Sequence, residues 1–227
     1  MYNNFITNKY KKTTKMKNYK ELISSFTKED YEKNKINLHM HTDYSDGKGN
    51  INVLLNEAKE KGYRYISFCD HNTMKGYTDH NILNEDILIP AAEFDVWCGY
   101  VFMHLLAYGI DPYNEELKPF FAQNKKETEA DIVRIFAKRN IKKLINAIHN
   151  AGGIAVLAHP ACCWCINSNN FIKKLVSYGL DGIEVYYPYS RHRGIIKFHS
   201  AKTFDKLADK YNLIKTGGTD LHSDHLP

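Results

Sequence analysis

The sequence predicts an α/β fold in a single domain, and three observations carry that expectation. Short apolar stretches alternate with stretches of helical period along most of the chain. The apolar stretches are nearly continuous, as in strands of a parallel sheet covered on both faces. About seven such strands can be marked in 227 residues, a count and length that suit a (β/α) barrel better than an open sheet.

The elements follow in order. Residues 1–35 hold nine lysines against four acids, an excess of five that equals the whole net charge of +5. They read as a basic flexible tail with room for a short helix over residues 21–33. The first strand is Ile36–His41, followed by a helix that Asn50 can cap and Gly62 can end. A second strand covers Tyr63–Cys69, and two more are expected at Ile87–Ile89 and Tyr100–Tyr108. Residues 111–140 form the longest connection and should cap one edge of the strand ends. Three further helix–strand units carry strands at Ile154–Ala158, Gly182–Tyr187 and Leu213–Thr216, with helices at Ile141–Asn150, Phe171–Tyr178 and Ile195–Tyr211.

Composition excludes several classes. Hydrophobic residues make up 43% and charged residues 25%, an ordinary globular balance. No apolar run approaches the ~18 residues of a membrane span, and no apolar h-region opens the chain, so a cytoplasmic protein is expected. The basic excess sits in the tail, which argues only weakly for a nucleic-acid partner. Cys69, Cys98, Cys162, Cys163 and Cys165 are odd in number and do not form a disulfide framework. The three after His159-Pro160 read as small buried hydrophobes. The chain stops five residues after His222, which allows for a C-terminal segment beyond it.

The chemistry lies at the strand ends. His39 and His41 alternate with Leu38 and Met40, so both imidazoles share one face and can hold one cation. Asp46 follows before Gly47, where a turn can return a carboxylate to the same place. Asp70 and His71 end the second strand, Glu93 follows the third, His159 ends the fifth, and Asp220 and His222 follow the last. His104 points opposite to Met103 and Leu105 within its strand. In (β/α) barrels such ends share one face. Six histidines and three carboxylates exceed the needs of one ion, so two or three divalent cations are expected. The donor set suits Mn, Zn or Fe without selecting among them. Such a cluster lowers the pKa of bound water and clamps phosphoryl oxygens. His80, His149, His192, His199 and His225 lack this context, apart from His192 in the loop after the sixth strand.

The ordered motifs His39-x-His41 with Ser45-Asp46-Gly47, Asp70-His71, Glu93 through His104, His159-Pro160 and Gly218-Thr219-Asp220-x-His222 resemble the PHP (polymerase and histidinol phosphatase) family of metal-dependent phosphoesterases. The match runs over residues 36–227. The resemblance implies a distorted (β/α)7 TIM-like barrel with a trinuclear site. One ion would take His39, His41, Glu93 and Asp220. A second would share Glu93 and take His104 and His159, and a third would take Asp46, His71 and His222. Asp70 would orient a ligand. Arg191 or Arg193, in the loop after the sixth strand, would grip substrate phosphate, and Lys75 is a lesser candidate. Two departures stand out. Ala92 replaces a frequent glycine before the bridging glutamate. The 54 residues between His104 and His159 are too few for the helical insertion of the longer nucleotide phosphatases, so their substrate does not carry over.

The expected activity is hydrolysis of a small phosphate monoester or nucleotide. Two other readings stay open at this point. An amidohydrolase-like reaction is one, although no lysine ends any strand. A metal-binding accessory domain without catalysis is the other.

Overall fold

Why the first strand ends where it does decides much of the architecture, and it is visible in the computed structural model, which describes residues 18–136, 138–188 and 199–227. β1 (Ile36–Met40) is buried along its whole length. It pairs in parallel with β2 (Tyr65–Phe68). β3 (Ala91–Cys98), β4 (Val101–Tyr108), β5 (Ile154–Leu157), β6 (Gly182–Tyr186) and β7 (Ile214–Gly217) form a second sheet in that order.

The two sheets do not close into the expected barrel. Outside the ladders they meet at isolated bridges, Met40 with Leu221, Ile66 with Leu88 and His71 with Glu93. The reason is local. Past Met40 and Phe68 the chain turns polar, and its backbone groups go to single contacts such as His41 N–H to Leu221 O at 2.8 Å rather than to a continued ladder. The wholly parallel sheet is corrected as well. β4 runs antiparallel to both β3 and β5. Only Gly99 and Tyr100 join β3 to β4, and Gly99 has φ +67°. A two-residue link makes a hairpin and cannot make a crossover.

The strand expected at Ile87–Ile89 is a single bridge at Leu88. The true third strand starts at Ala91, so Glu93 lies within it rather than after it. Ala92, Phe94 and Val96 pack into the core, while Glu93 and Asp95 alternate onto the opposite face.

The long helices follow their caps. α3 (Ile51–Glu60) is capped by the Asn50 side chain as expected. The helices are numbered in chain order: α1 (Tyr19–Ser24), α2 (Lys28–Glu32), then α3, α4 (Lys75–Asp79), α5 (Lys126–Glu129) and α6 (Asp131–Ile135). α7 (Ile141–Asn150), α8 (Ser168–Ser177) and α9 (Ala201–Lys210) complete the series. Asn140, Asn167 and Ser200 cap the last three through their side chains. α8 therefore starts earlier than expected. The expected helix start at Ile195 lies outside the described residues.

Residues 1–17 also lie outside the described residues. From Asn18 the expected tail is ordered: α1 and α2 bury Ile23, Phe26 and Tyr31 in a cluster with Ile36, Leu38, Tyr108 and Ile154. Thr27 and Asp30 close a capping box. Lys20 pairs with Asp181 at 2.8 Å. Among the described residues, no helix is long and apolar enough to cross a membrane.

Candidate metal centre

His39 and His41 leave β1 on the face opposite Leu38 and Met40, and both are fully buried. The chain then folds back on itself. Asp70 accepts from Thr42 N at 2.8 Å, Thr42 Oγ1 at 2.7 Å and Ser45 Oγ at 2.7 Å. Gly47 lies so close to the His41 backbone that a Cβ there would sit 2.5 Å from His41 C. This tight return delivers Asp46, whose Oδ1 is 3.5 Å from His41 Nδ1 and 3.3 Å from His222 Nε2. Its Oδ2 is 3.5 Å from His71 Nε2 and 2.9 Å from Arg134 Nη1.

Glu93 stands at the centre. Its Oε2 faces His39 Nε2 and His41 Nε2, each at 3.2 Å, and His71 Nε2 at 3.5 Å. Its Oε1 faces His104 Nδ1 at 3.1 Å and His159 Nε2 at 3.2 Å. Asp220 Oδ1 lies 3.1 Å from His41 Nε2 and 3.5 Å from His39 Nε2. Its Oδ2 accepts from the Tyr187 hydroxyl at 2.7 Å.

All nine sequence-predicted ligands thus meet. Their donor atoms fall into four overlapping groups: His41, Asp46, His71 and His222; His39, Glu93 and His159; His39, His41 and Asp220; and His71, Glu93 and His104. His41 joins the Asp46 group through one nitrogen and the Asp220 group through the other. His71 faces both Asp46 and Glu93 through its Nε2 alone, which the sequence did not anticipate. Asp70 stands outside these groups and holds the Thr42–Ser45 turn. Arg191 and Arg193 lie outside the described residues. Lys75 lines a neighbouring pocket with Asp43, Asn124 and Lys125 and is not at the centre.

The arrangement fits cations. His39 Nε2 and His41 Nε2 are 3.3 Å apart, and so are His104 Nδ1 and His159 Nε2. One ring of each pair can donate an N–H to the other, but where both nitrogens turn lone pairs inward they repel at that distance, and a cation between them and the carboxylates would turn that repulsion into shared coordination. The backbone is strained at two of the same positions: φ is +24° at His159 and +48° at Asp220. Each such residue costs about 1–3 kcal/mol and persists only where its surroundings fix it.

The charges respond to this crowding. Burial opposes the ionisation of Glu93, yet His39, His104 and His71 hold its carboxyl well below the usual range. Asp220 is depressed in the same way, by His39, His41 and His159 against its burial. Burial disfavours a charged His41, but Asp220 and Glu93 push it up to about 10. Burial also opposes charge on His39 and His159; Glu184, Glu93 and Asp220 raise His39 well above normal, and a hydrogen bond with Cys162 joins Glu93 and Asp220 in raising His159.

Several residues escaped the sequence reading. Glu184 is fully buried in β6 and accepts from His39 Nδ1 at 2.9 Å and from His159 N at 2.8 Å. It sits between apolar Ile183 and Val185, so strand alternation could have shown it. Asp95, two residues after Glu93, could have been found in the same way. Arg134 has no local signal. It lies on α6, in the connection expected to cap the site. A cavity of about 430 Å³ opens onto the ligands, lined also by Phe102, Arg134, Cys162 and Cys163.

A sequence model of the PHP domain matches residues 37–208. The chain belongs to the PHP domain family. Among its relatives, an uncharacterised protein of Methanocaldococcus jannaschii is 25% identical over 193 residues, covering 78% of this chain and 95% of the relative. A phosphoribosyl 1,2-cyclic phosphate 1,2-diphosphodiesterase of Eggerthella lenta is 21% identical over 252 residues, covering 82% and 93%. Two solved structures share the fold. An amidohydrolase from Chromobacterium violaceum, with bound sulfate and no metal, gives a TM-score of 0.67 at 18% identity, covering 83% of this chain and 88% of that one. A protein of Bifidobacterium adolescentis, described as a metal-dependent phosphoesterase, gives 0.64 at 20% identity, covering 85% and 89%.

Metal loading of this PHP domain is expected to release protons. Bound imidazole must be neutral, while the raised values of His39, His41 and His159 keep these rings protonated in the metal-free protein at neutral pH. For a raised histidine, the stabilisation from its carboxylate partners is fully present below the unfolded value of about 6.5 and fades as pH rises through the folded value. For His41 the folded value is about 10. Apparent Zn²⁺ affinity should therefore rise with pH from 6 to 8, by up to about tenfold per unit for each proton displaced. Titration calorimetry in buffers of different ionisation enthalpy measures the released protons directly. A buffer-independent heat would contradict the expectation.

Proposed function

We propose that this PHP domain is a metal-dependent phosphoesterase acting on a small phosphorylated substrate, a phosphate monoester or nucleotide. The observation that carries the reading is Glu93, one buried carboxylate whose two oxygens face separate sets of imidazoles. A carboxylate so placed can be shared between cations, as in sites with two metals. On this reading His39, His41, Asp220, His104 and His159 hold ions against Glu93, and Asp46, His71 and His222 hold a further one. Two or three divalent cations of Mn, Zn or Fe would supply an activated water and a counter-charge for phosphoryl oxygens.

The chain's own residues do the rest. Asp70 pins the turn that presents Asp46. Glu184 takes the Nδ1 proton of His39, so its Nε2 lone pair faces inward. The Tyr187 hydroxyl occupies Asp220 Oδ2 and leaves Oδ1 towards His39 and His41. The cavity over the ligands gives a phosphate group access to them. Arg191 or Arg193 is assigned the outer phosphate oxygens, where a guanidinium can bind two at once.

The name of the E. lenta relative supports phosphoester chemistry. Among the described residues no lysine lines the cavity, which disfavours the lysine-bridged chemistry of an amidohydrolase-like reaction. The test is a panel of aryl phosphate monoesters and diesters, nucleotides, amides and lactones, run with Mn²⁺, Zn²⁺ or Fe²⁺ and with metal analysis of the same sample. Phosphate esters should turn over and stop when the ions are chelated. Faster turnover of amides or lactones, or hydrolysis indifferent to chelation, would refute the proposal.

A further inference from the structure

We propose that Asp95 is a positioning residue: one carboxylate oxygen sets which nitrogen His71 and His104 each turn towards the metal centre, and it sets them oppositely. The inference rests on the metal-binding part of the reading above and not on the reaction.

Asp95 follows Glu93 by two residues in β3, so both carboxylates leave the same face. It has no accessible surface. Its Oδ1 lies 3.4 Å from His71 Nδ1 and 3.2 Å from His104 Nε2. The other nitrogen of each ring faces Glu93, His71 Nε2 at 3.5 Å from Oε2 and His104 Nδ1 at 3.1 Å from Oε1. A neutral imidazole has one N–H and one lone pair. Both Asp95 and Glu93 are carboxylates and only accept, so a cation held at Glu93 would decide the tautomer: each ring would turn its lone pair to the cation and its N–H to Asp95. His71 then presents Nε2, and His104 presents Nδ1.

The carboxylate is held for this task. Its Oδ2 accepts from the Asn72 amide, and Asn72 Oδ1 takes the Asp95 N–H at 3.1 Å. Asn72 is the residue after His71 and has φ +56°, a conformation asparagine tolerates better than most. The partner of Asp95 and one of the rings it orients are thus adjacent in the chain. Asp95 Oδ1, His71 Nδ1 and Arg134 Nε are all buried without a hydrogen bond, and they lie within 3.8 Å of that oxygen or are it. Such groups rarely stay unsatisfied, and a small rotation of the His71 ring closes the contact. Asp95 is not itself a ligand on this view. The Asn72 amide already donates to its Oδ2, and Asp95 falls outside the four ligand groups.

The experiment uses Zn²⁺ alone with the full chain. Zn²⁺ affinity is measured by competition with a chromophoric chelator, and the Zn-to-protein ratio by elemental analysis, for wild type, Asp95→Asn and Asp95→Ala. Asp95→Ala should bind about 10–100-fold more weakly. Asp95→Asn, which keeps an acceptor oxygen, should fall between the two. The second readout needs no variant: histidine ¹⁵N NMR of the Zn-loaded wild type should show His104 protonated at Nε2 and His71 at Nδ1. A merely structural role for Asp95 would not dictate opposite tautomers. His104 protonated at Nδ1, or Asp95→Ala with wild-type affinity and ratio, would overturn the inference. A wild type that takes up no Zn²⁺ would overturn the metal reading and this inference together. Zn²⁺ uptake with no phosphoesterase activity would remove only the reaction.

Discussion

Glu93→Ala is expected to lower metal-dependent phosphate release by about three orders of magnitude, on the scale of removing a principal transition-state stabiliser. Five imidazoles stand within 3.5 Å of its two oxygens. Among the described residues, no other carboxylate faces the inward nitrogens of both sets: Asp220 faces His39 and His41, Asp46 faces His41, His71 and His222, and Asp95 meets His71 and His104 only at their outward nitrogens. Metal content should fall with activity. The bare protein should also suffer. His39 and His159 hold raised pKa values partly because of Glu93, and stripping a buried charged group of its partner costs about 3–5 kcal/mol. Glu93→Gln separates these effects, because it keeps the volume and loses the charge. Its thermal stability should fall less than that of Glu93→Ala, while its activity stays near that of the alanine variant. Phosphate release, bound metal and the melting curve of both variants decide the matter. Wild-type turnover by Glu93→Gln would mean that Glu93 only fills space.

The candidate ligand positions were legible as an ordered set, each weak alone, and most sit at the end of an apolar stretch. His39 and His41 alternate with apolar residues, His71 ends a strand, and His159-Pro160 and Asp220-Leu221-His222 follow apolar strands. Long-range pairing was not legible. The hairpin of β3 and β4 depends on Gly99-Tyr100, and Gly99 was masked by a run of apolar residues on both sides. Placing the third strand at Ile87–Ile89 put Glu93 outside it, and Asp95 was lost for that reason: residues after a strand have no alternation to read. Glu184 was hidden by the opposite effect, a carboxylate inside an apolar strand where a buried charge is costly unless paired. Its partners, His39 and His159 N, are 145 and 25 residues away. Arg134 lies beyond any local rule, because its ion pair to Asp46 spans 88 residues.

Gly218→Ala should show that the last motif is a matter of space as much as of ligands. A Cβ at Gly218 would lie 2.4 Å from His39 Cβ and 2.5 Å from His39 N. The obstacle is backbone and the first side-chain atom, neither of which can swing aside. The neighbours also resist retreat. Asn37 Oδ1 accepts from Thr219 N at 3.0 Å, and Asn37 Nδ2 donates to Thr219 Oγ1 at 2.8 Å. The added methyl must therefore part β1 from the chain after β7, which widens the 3.1 Å approach of Asp220 to His41. Overpacking of this kind costs about 1–3 kcal/mol, or about 2–12 °C in melting temperature for a chain of this size. Zn²⁺ affinity should drop alongside it. Gly62→Ala is the matched control. Gly62 has φ +74°, and a Cβ added there would meet nothing within 4 Å, so alanine costs about 1–2 kcal/mol of backbone strain and leaves the ligands alone. Both variants should melt earlier, and Gly218→Ala alone should lose metal. Equal metal affinity in the two would place the Gly218 contact outside the workings of the site.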